Sequence, residues 1–172
     1  MIINSIDALV LLAAAATQPV AIDACSLLQP SEISAAIGLP VATGTRRDEG
    51  LVPQGAYSSA CVWPVTDATA PGKSFVIVNA MRWPTGSGLA DTFLDAFRKA
   101  AASGEIPSQP VPRELGDAAL WWGDGLAIRR GDVSVGISVF VPSLKTASDD
   151  KRAGHFEERL AVHVLRRLDA RD

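Results

Sequence analysis

The sequence contains little of the material from which common active sites and nucleic-acid-binding surfaces are built. Its 172 residues include two histidines and two cysteines, and its 16 basic residues nowhere form a run of five or more. Because 19 acidic residues bring the net charge to −3, charge gives no reason to expect nucleic acid or an anionic membrane as a partner. A Gly-x-Ser-x-Gly turn and a glycine-rich phosphate loop are both missing from the sequence.

The few histidines and cysteines are placed unfavourably for metal binding. His155 and His163 fall on one predicted helix, about 80° apart around its axis and about 12 Å apart along it, so they cannot share a metal. His155 with Glu158 would supply two ligands and lacks a third. Cys25 and Cys61 have no matching Cys/His pair to complete a zinc site. We therefore predict no metal, no cofactor and no catalytic residues, and a protein that is not an enzyme.

No apolar run is long enough to form a transmembrane segment. The run from Ala8 to Ala16 has the length of the hydrophobic region of a signal peptide, and as a helix it would rise about 14 Å against a hydrocarbon core of roughly 30 Å. Small residues at 14–16 provide a cleavage site before Thr17. Residues 1–16 are therefore predicted to be a signal peptide, with cleavage between 16 and 24, although residues 1–7 contain no lysine or arginine. An ordinary amphipathic N-terminal helix is the alternative.

Two cysteines in a chain with an export signal are predicted to form a disulfide, Cys25–Cys61. The bond would close a loop of about 37 residues, which is worth roughly 4 kcal/mol by loop entropy. Two buried thiols in a cytosolic protein are the alternative. Asp23 is out of place for a lipobox, so the sequence favours pairing of Cys25 with Cys61, and a lipid on Cys25 is the alternative.

Turn signals and hydrophobic periodicity predict the element order α-β-β-β-α-β-β-β-α for residues 25–172. The first helix follows Gln29, with Pro30 in its first turn and Glu32 reaching back to the free N–H groups, and it ends at Gly38. We predict strands at 41–45, 57–65, 74–83, 118–122, 126–130 and 133–141, a polar loop at 46–56, and helices at 89–103 and 148–170. The result is one α+β domain with an antiparallel sheet of about six strands in two three-stranded units and helices packed on one face.

Tryptophans are the one feature typical of a binding surface. Trp121 and Trp122 are neighbours on a predicted strand, so their side chains point to opposite faces of the sheet. Trp83 ends its strand beside Pro84. Because an exposed tryptophan often marks a contact surface, Trp83 and Trp122 are the candidate binding residues, and coverage by loops or by the last helix is the alternative. The Arg-Gly-Asp at 130–132 is interpreted as a hairpin turn.

Several short motifs together resemble a loose group of secreted or lipid-anchored bacterial domains of unknown function, best known from actinobacteria. The motifs are Cys-Ser-Leu-Leu at 25–28 followed by Glu32, Ala-Ala-Ile-Gly at 35–38, Cys-Val-Trp at 61–63, and Leu-Gly-Asp-Ala-Ala at 115–119. The hallmark of the group is a C-S-L-L-T-x-x-E helix opener with a later C-x-W strand, and Gln29 stands here where a capping threonine is usual. The resemblance implies a disulfide, an exported location and an α+β fold similar to PsbP-like domains, and it brings no catalytic residues.

Taken together, these features predict a periplasmic or secreted protein that serves as a binding or protein-interaction module without catalytic activity. Its expected partner is a protein of the bacterial envelope. One alternative is a small-molecule or lipid binder that uses a cleft between the sheet and its helices, with Trp83 or Trp122 in the wall. A periplasmic inhibitor or immunity-type protein is the other.

Overall fold

The computed structural model of the chain describes residues 19–66, 73–107, 109–145 and 155–170. The predicted signal peptide at 1–16 and the first part of the predicted last helix, 148–154, lie outside the described residues. None of the helices in the described ranges combines the length and the apolar character that a bilayer crossing requires.

Seven strands and four α-helices follow a 3-10 turn at Ala24–Leu27 in this part of the chain. The strands are β1 (Thr45–Leu51), β2 (Tyr57–Pro64), β3 (Phe75–Arg82), β4 (Val111–Arg113), β5 (Ala118–Trp121), β6 (Leu126–Arg130) and β7 (Val133–Phe140). The helices are α1 (Pro30–Ile37), α2 (Ala90–Ser103), α3 (Pro142–Lys145) and α4 (His155–Asp169). The mixed α+β class is confirmed.

The strands form one antiparallel sheet in the order β1-β2-β3-β7-β6-β5-β4. β3 pairs with β7 over its whole length, so the first three strands and the last four meet in the middle of the sheet. The prediction of about six strands is wrong, because the segment at 106–113, in which the sequence has three prolines and predicts no strand, contributes β4 as a seventh. Pro112 is tolerated there since β4 is the last strand of the sheet, where a missing N–H need not interrupt the ladder.

The first strand is also displaced from its predicted position. Val41 makes only an isolated bridge with Val65, and β1 occupies 45–51, most of which was predicted to be loop. β1 is an edge strand in which nearly every side chain is exposed. Its sequence therefore has no alternation of apolar and polar residues from which a strand could be predicted.

One face of the sheet carries the main core, and we call it the closed face. Register neighbours across β2, β3, β7 and β6 are at most 1% exposed there; they are Cys61, Val78, Ile137 and Leu126. The 3-10 turn, α1 and α4 cover this face, and their apolar residues belong to the same buried cluster, including Leu27, Ile33, Leu160 and Val164. Burial of these side chains is the main stabilising contribution to the fold.

Helix α1 is capped as predicted and then tied to α4. The Glu32 carboxylate accepts a hydrogen bond from the Gln29 backbone N–H at 2.9 Å, and Gly38 ends the helix with a φ of 74°. The same carboxylate lies 2.9 Å from Arg167 Nη2 and 3.0 Å from His163 Nδ1. Burial raises the pKa of Glu32, but these hydrogen bonds and the positive charge of Arg167 outweigh it, so the pKa lies below its usual value.

Helix α2 packs on the opposite face of the sheet, over β6 and β7. Its buried Leu94 contacts the register partners Leu120 and Ala127. Their strand neighbours Ala119 and Ile128 belong to the main core instead, as the alternation of a strand requires. The prediction that the helices pack on one face is therefore wrong: an apolar stripe shows that a helix packs on a sheet, and it does not indicate which face.

Candidate functional site

The predicted disulfide between Cys25 and Cys61 is confirmed, with 5.0 Å between the two Cα atoms. It joins the 3-10 turn to β2, and Cys61 is fully buried. Gly44 passes directly above it, since a Cβ on Gly44 would lie 2.6 Å from Cys61 Sγ and 2.6 Å from Trp63 Nε1. The bond is thus packed into the core, as a structural disulfide is.

Polar side chains beside the disulfide hold the 3-10 turn on the sheet. The buried Ser59 hydroxyl donates a hydrogen bond to Asp48 at 2.6 Å and accepts one from the Ala24 N–H at 3.1 Å. Arg46 pairs with Asp48 and, at 3.3 Å, with Asp23. The hydrogen bond from Arg46 outweighs the effect of burial and lowers the pKa of Asp48. These groups neutralise one another and are engaged in holding the turn.

A second polar cluster fixes the hairpin between β6 and β7. Asp117 accepts hydrogen bonds from the Gly131 N–H at 2.7 Å and from Arg130 at 3.0 Å, and Arg130 also pairs with Asp169 at 2.7 Å. The hydrogen bond from the Gly131 N–H lowers the pKa of Asp117, and its effect is larger than the opposing effect of burial. Asp132 accepts hydrogen bonds from the Gly86 N–H. All three residues of the Arg-Gly-Asp at 130–132 are thus engaged in contacts within the fold.

No group of three or more His, Cys, Asp or Glu side chains within the described ranges is placed to hold a metal ion. The histidine that the structure describes in full, His163, is engaged with Glu32 and with Arg166 Nη2 at 2.7 Å. The candidate site must therefore be sought among the surfaces of the sheet and its helices.

The two candidate tryptophans have different environments. Trp83 is 5% exposed, and its Nε1 donates to Ser134 Oγ at 3.0 Å, which in turn donates to the Ala90 carbonyl at 2.9 Å. Trp83 is thus an interior residue. Trp122 is partly exposed, and its ring stacks on Phe97 with centroids 5.3 Å apart. Trp121 packs against the main core, so the two adjacent tryptophans point to opposite faces as predicted.

Part of the sheet face that α2 occupies stays accessible, and this part is the candidate site. Val62 and Ile77 are register partners on β2 and β3, and both are partly exposed. Ala60 is partly exposed and its partner Asn79 is exposed. These four residues belong to none of the three buried clusters. We call the surface formed by Thr45, Arg47, Ala60, Val62, Ile77, Asn79 and Ser138 the open face.

Aromatic side chains form the border of the open face. On the α2 side, Phe93 lies beside Asn79, since a Cβ on Gly136 would lie 3.5 Å from Phe93 Cζ and 4.0 Å from Asn79 Cβ. Phe93, Phe97 and Trp122 follow one another along this border in edge-to-face and stacked contacts. At the end of the sheet, Phe75 stacks on the 46% exposed Phe140. Five of the ten aromatic residues of the chain therefore border the open face.

The open face carries one charged side chain. Its register positions on β1 to β3 and β7 hold small, apolar or neutral polar residues, with the exception of the exposed Arg47 at the β1 edge. Arg47 forms no ion pair with another described residue. The surface is therefore apolar in the middle and positive at one rim.

Of the residues at the candidate site, the sequence had singled out Trp122 but not Val62, Ile77 or Arg47. A signal for the missed residues exists in β3, whose residues 75–78 are Phe-Val-Ile-Val and are thus apolar on both faces. A strand of that kind needs cover on both sides.

The chain matches no protein-family model, no curated protein and no solved structure.

Proposed function

We propose that the protein is an exported, non-catalytic module that binds another protein of the bacterial envelope through its open face. The observation that carries the proposal is the accessible apolar surface of β2 and β3 beside the aromatic border of α2. Contiguous apolar surface with aromatic residues at its border is the composition that protein interfaces favour.

Export is supported by the disulfide together with the signal-like N-terminus. A buried disulfide persists where thiols are oxidised, as in the periplasm or outside the cell. The apolar run at 8–16 and the resemblance to secreted bacterial domains favour the same compartments.

The absence of catalysis is supported by the state of three carboxylates in the polar clusters described above. Glu32, Asp48 and Asp117 each have a pKa below the usual value. Each carboxylate is engaged by an arginine and by other hydrogen-bond donors. A general acid working at neutral pH needs the opposite, a raised pKa and access to a substrate. These groups stabilise the fold.

A second candidate function is favoured by the position of Trp122. A small apolar molecule or a lipid would lie along the border between α2 and the open face, against Trp122 and Phe97. An inhibitor or immunity-type role is a special case of the first function, in which the bound protein is an enzyme.

The test uses the full chain, exported by its own N-terminus in a bacterium that produces it. The wild type and two variants, Ile77→Asp and Val162→Asp, are purified from the periplasm and analysed by native mass spectrometry. Val162 is 57% exposed on α4 and provides the matched control, an apolar-to-acidic change on another face. Thermal melts verify that both variants are folded.

We expect one protein to co-purify in stoichiometric amount with the wild type and with Val162→Asp, and to be lost from Ile77→Asp. Retention of that protein by Ile77→Asp would contradict the assignment of the open face. A retained small molecule in place of a protein would replace the first function by the second.

A further inference from the structure

We infer that the segment of the partner that occupies the open face is an amphipathic helix with an acidic residue placed against Arg47. The inference rests on the proposed function and specifies the shape and the charge of the partner.

The width of the open face matches one helix. Strands of a sheet are about 4.8 Å apart, so the three strands β1 to β3 present about 14 Å beside the region that α2 covers. A helix with its side chains is about 10–12 Å across. On the closed face, α1 and α4 form a continuous layer, whereas the opposite face has α2 over β6 and β7. One more helix beside α2 would complete the second layer.

The floor of the open face offers apolar side chains on which a helix can pack. One register row carries Ala60 and the exposed Asn79 and ends at Gly136, which Phe93 of α2 already approaches. The next row carries the larger Val62 and Ile77. An apolar stripe at three- and four-residue spacing would pack on these two side chains.

Addition of a strand at the sheet edge is disfavoured by both edges. β1 carries Arg46, Arg47 and Asp48 in succession, and its register with β2 shifts between Asp48 and Gly50. β4 is three residues long and contains Pro112. Charges, a bulge, short length and proline are the features by which natural sheets resist edge pairing. A partner therefore meets the face of the sheet and not its rim.

The positive charge of Arg47 favours a partner that carries a negative charge at this position. Arg47 is the one charged residue among its register positions, and it forms no ion pair with the rest of the described chain. A carboxylate of the partner would complete this ion pair at the border of an apolar interface, where it directs orientation. One cation is too few for binding to an anionic membrane, which takes a cluster of basic residues.

The experiment places a photo-crosslinking amino acid at Val62 or, as a control, at Val162 in the full exported chain. After irradiation of intact cells, the crosslinked peptide is sequenced by mass spectrometry. We expect Val62 to crosslink one protein, through a segment with apolar residues at helical spacing and an Asp or Glu within one turn. A crosslink from Val62 to a strand, to a loop or to a second copy of this chain would overturn the inference.

Charge reversal tests the ion pair with the partner that the crosslink identifies. We expect Arg47→Glu to weaken binding by about tenfold or more, and a lysine in place of the partner's acidic residue to restore it. Lys99→Glu, on the exposed side of α2, makes the same change in net charge and should leave binding unchanged. Equal effects of Arg47→Glu and Lys99→Glu would overturn the inference.

Failure of the inference can be separated from failure of the proposed function. A protein captured from Val162 and not from Val62 would overturn the inference, while the chain would still be an interaction module. Capture of no protein from either position, with a small molecule retained in native mass spectrometry, would overturn both.

Discussion

Removal of the disulfide is the perturbation whose effect can be worked out most fully. Cys25 and Cys61 are 36 positions apart, and their bond closes a loop that contains α1 and β1. In the Cys25→Ala/Cys61→Ala variant this loop is free in the unfolded chain. For a loop of about 37 residues, the gain in unfolded-state entropy corresponds to about 4 kcal/mol at 25 °C. A domain of this size has a total stability of about 5–15 kcal/mol, so the loss should be plainly visible.

The measurement is equilibrium unfolding in urea at neutral pH, followed by tryptophan fluorescence. Trp63 lies in the same buried cluster as Cys61, so its emission reports on the region that the disulfide holds. We expect the midpoint of unfolding to fall without a loss of native fluorescence in the absence of urea. The wild type unfolded in the presence of a reductant provides the control, since it lacks the bond and keeps both sulfur atoms.

A decrease of less than about 1 kcal/mol in both the double variant and the reduced wild type would refute this reasoning. It would mean that the contacts of Ser59 with Ala24 and Asp48 hold the 3-10 turn on the sheet by themselves. A large decrease in the double variant alone would assign the effect to lost packing and not to loop entropy.

Three further changes test the packing and the electrostatics by the same unfolding measurement. Gly44→Ala places a Cβ 2.6 Å from the buried Cys61 Sγ and should destabilise the fold by about 1–3 kcal/mol, whereas Gly136→Ala, with its nearest contact at 3.5 Å, should have little effect; equal effects would contradict the close approach. Glu32→Gln should reduce stability by about 1 kcal/mol at pH 7. Because the folded-state pKa of Glu32 is lowered, its contribution is present above the usual pKa near 4.3 and is lost as the pH falls through the folded value. The free energies of unfolding of the wild type and of Glu32→Gln should thus converge as the pH falls below the folded-state pKa of Glu32, and a constant difference would contradict the ion-pair network. Ser134→Ala leaves Trp83 Nε1 without its acceptor and should cost about 1–3 kcal/mol, with Ser138→Ala, on the open face, as a control of small effect.

Local signals predicted the elements whose ends are determined by their own residues. Helix α1 is the clearest example: Pro30, the Glu32 carboxylate and Gly38 each fix one feature of its start or its end. Helix α2 and the strands β2, β3, β6 and β7 lie within about one residue of their predicted positions at most ends, because their apolar residues alternate or repeat. The disulfide was predictable because the chain has two cysteines and an N-terminal apolar run of the length typical of an export signal.

Elements at the edges of the sheet were not predictable, because their pairing partner and not their composition makes them strands. β1 pairs residue by residue with β2 although it is almost entirely exposed. β4 contains a proline and still pairs with β5. For Trp83, the sequence could not reveal that Ser134, 51 positions away, accepts a hydrogen bond from its indole and keeps it inside. Long-range pairing of this kind follows from topology.

The sequence did not reveal the open face, because apolar residues on both faces of β2 and β3 predict that both faces are covered. The same residues support the proposed role of the open face in binding. The apolar run Phe-Val-Ile-Val of β3 indicates a strand with cover on both faces, and β2 likewise carries Val62 opposite the face of Cys61. Within the described chain, α1 and α4 cover one face, and α2 covers the other only over β6 and β7. Val62 and Ile77 are therefore apolar at positions that the described part of the fold leaves partly exposed. Solvent alone would favour polar side chains on such a face, as in other antiparallel sheets with one wet side. The proposed partner contact would account for their apolar character, and crosslinking from Val62 would detect it.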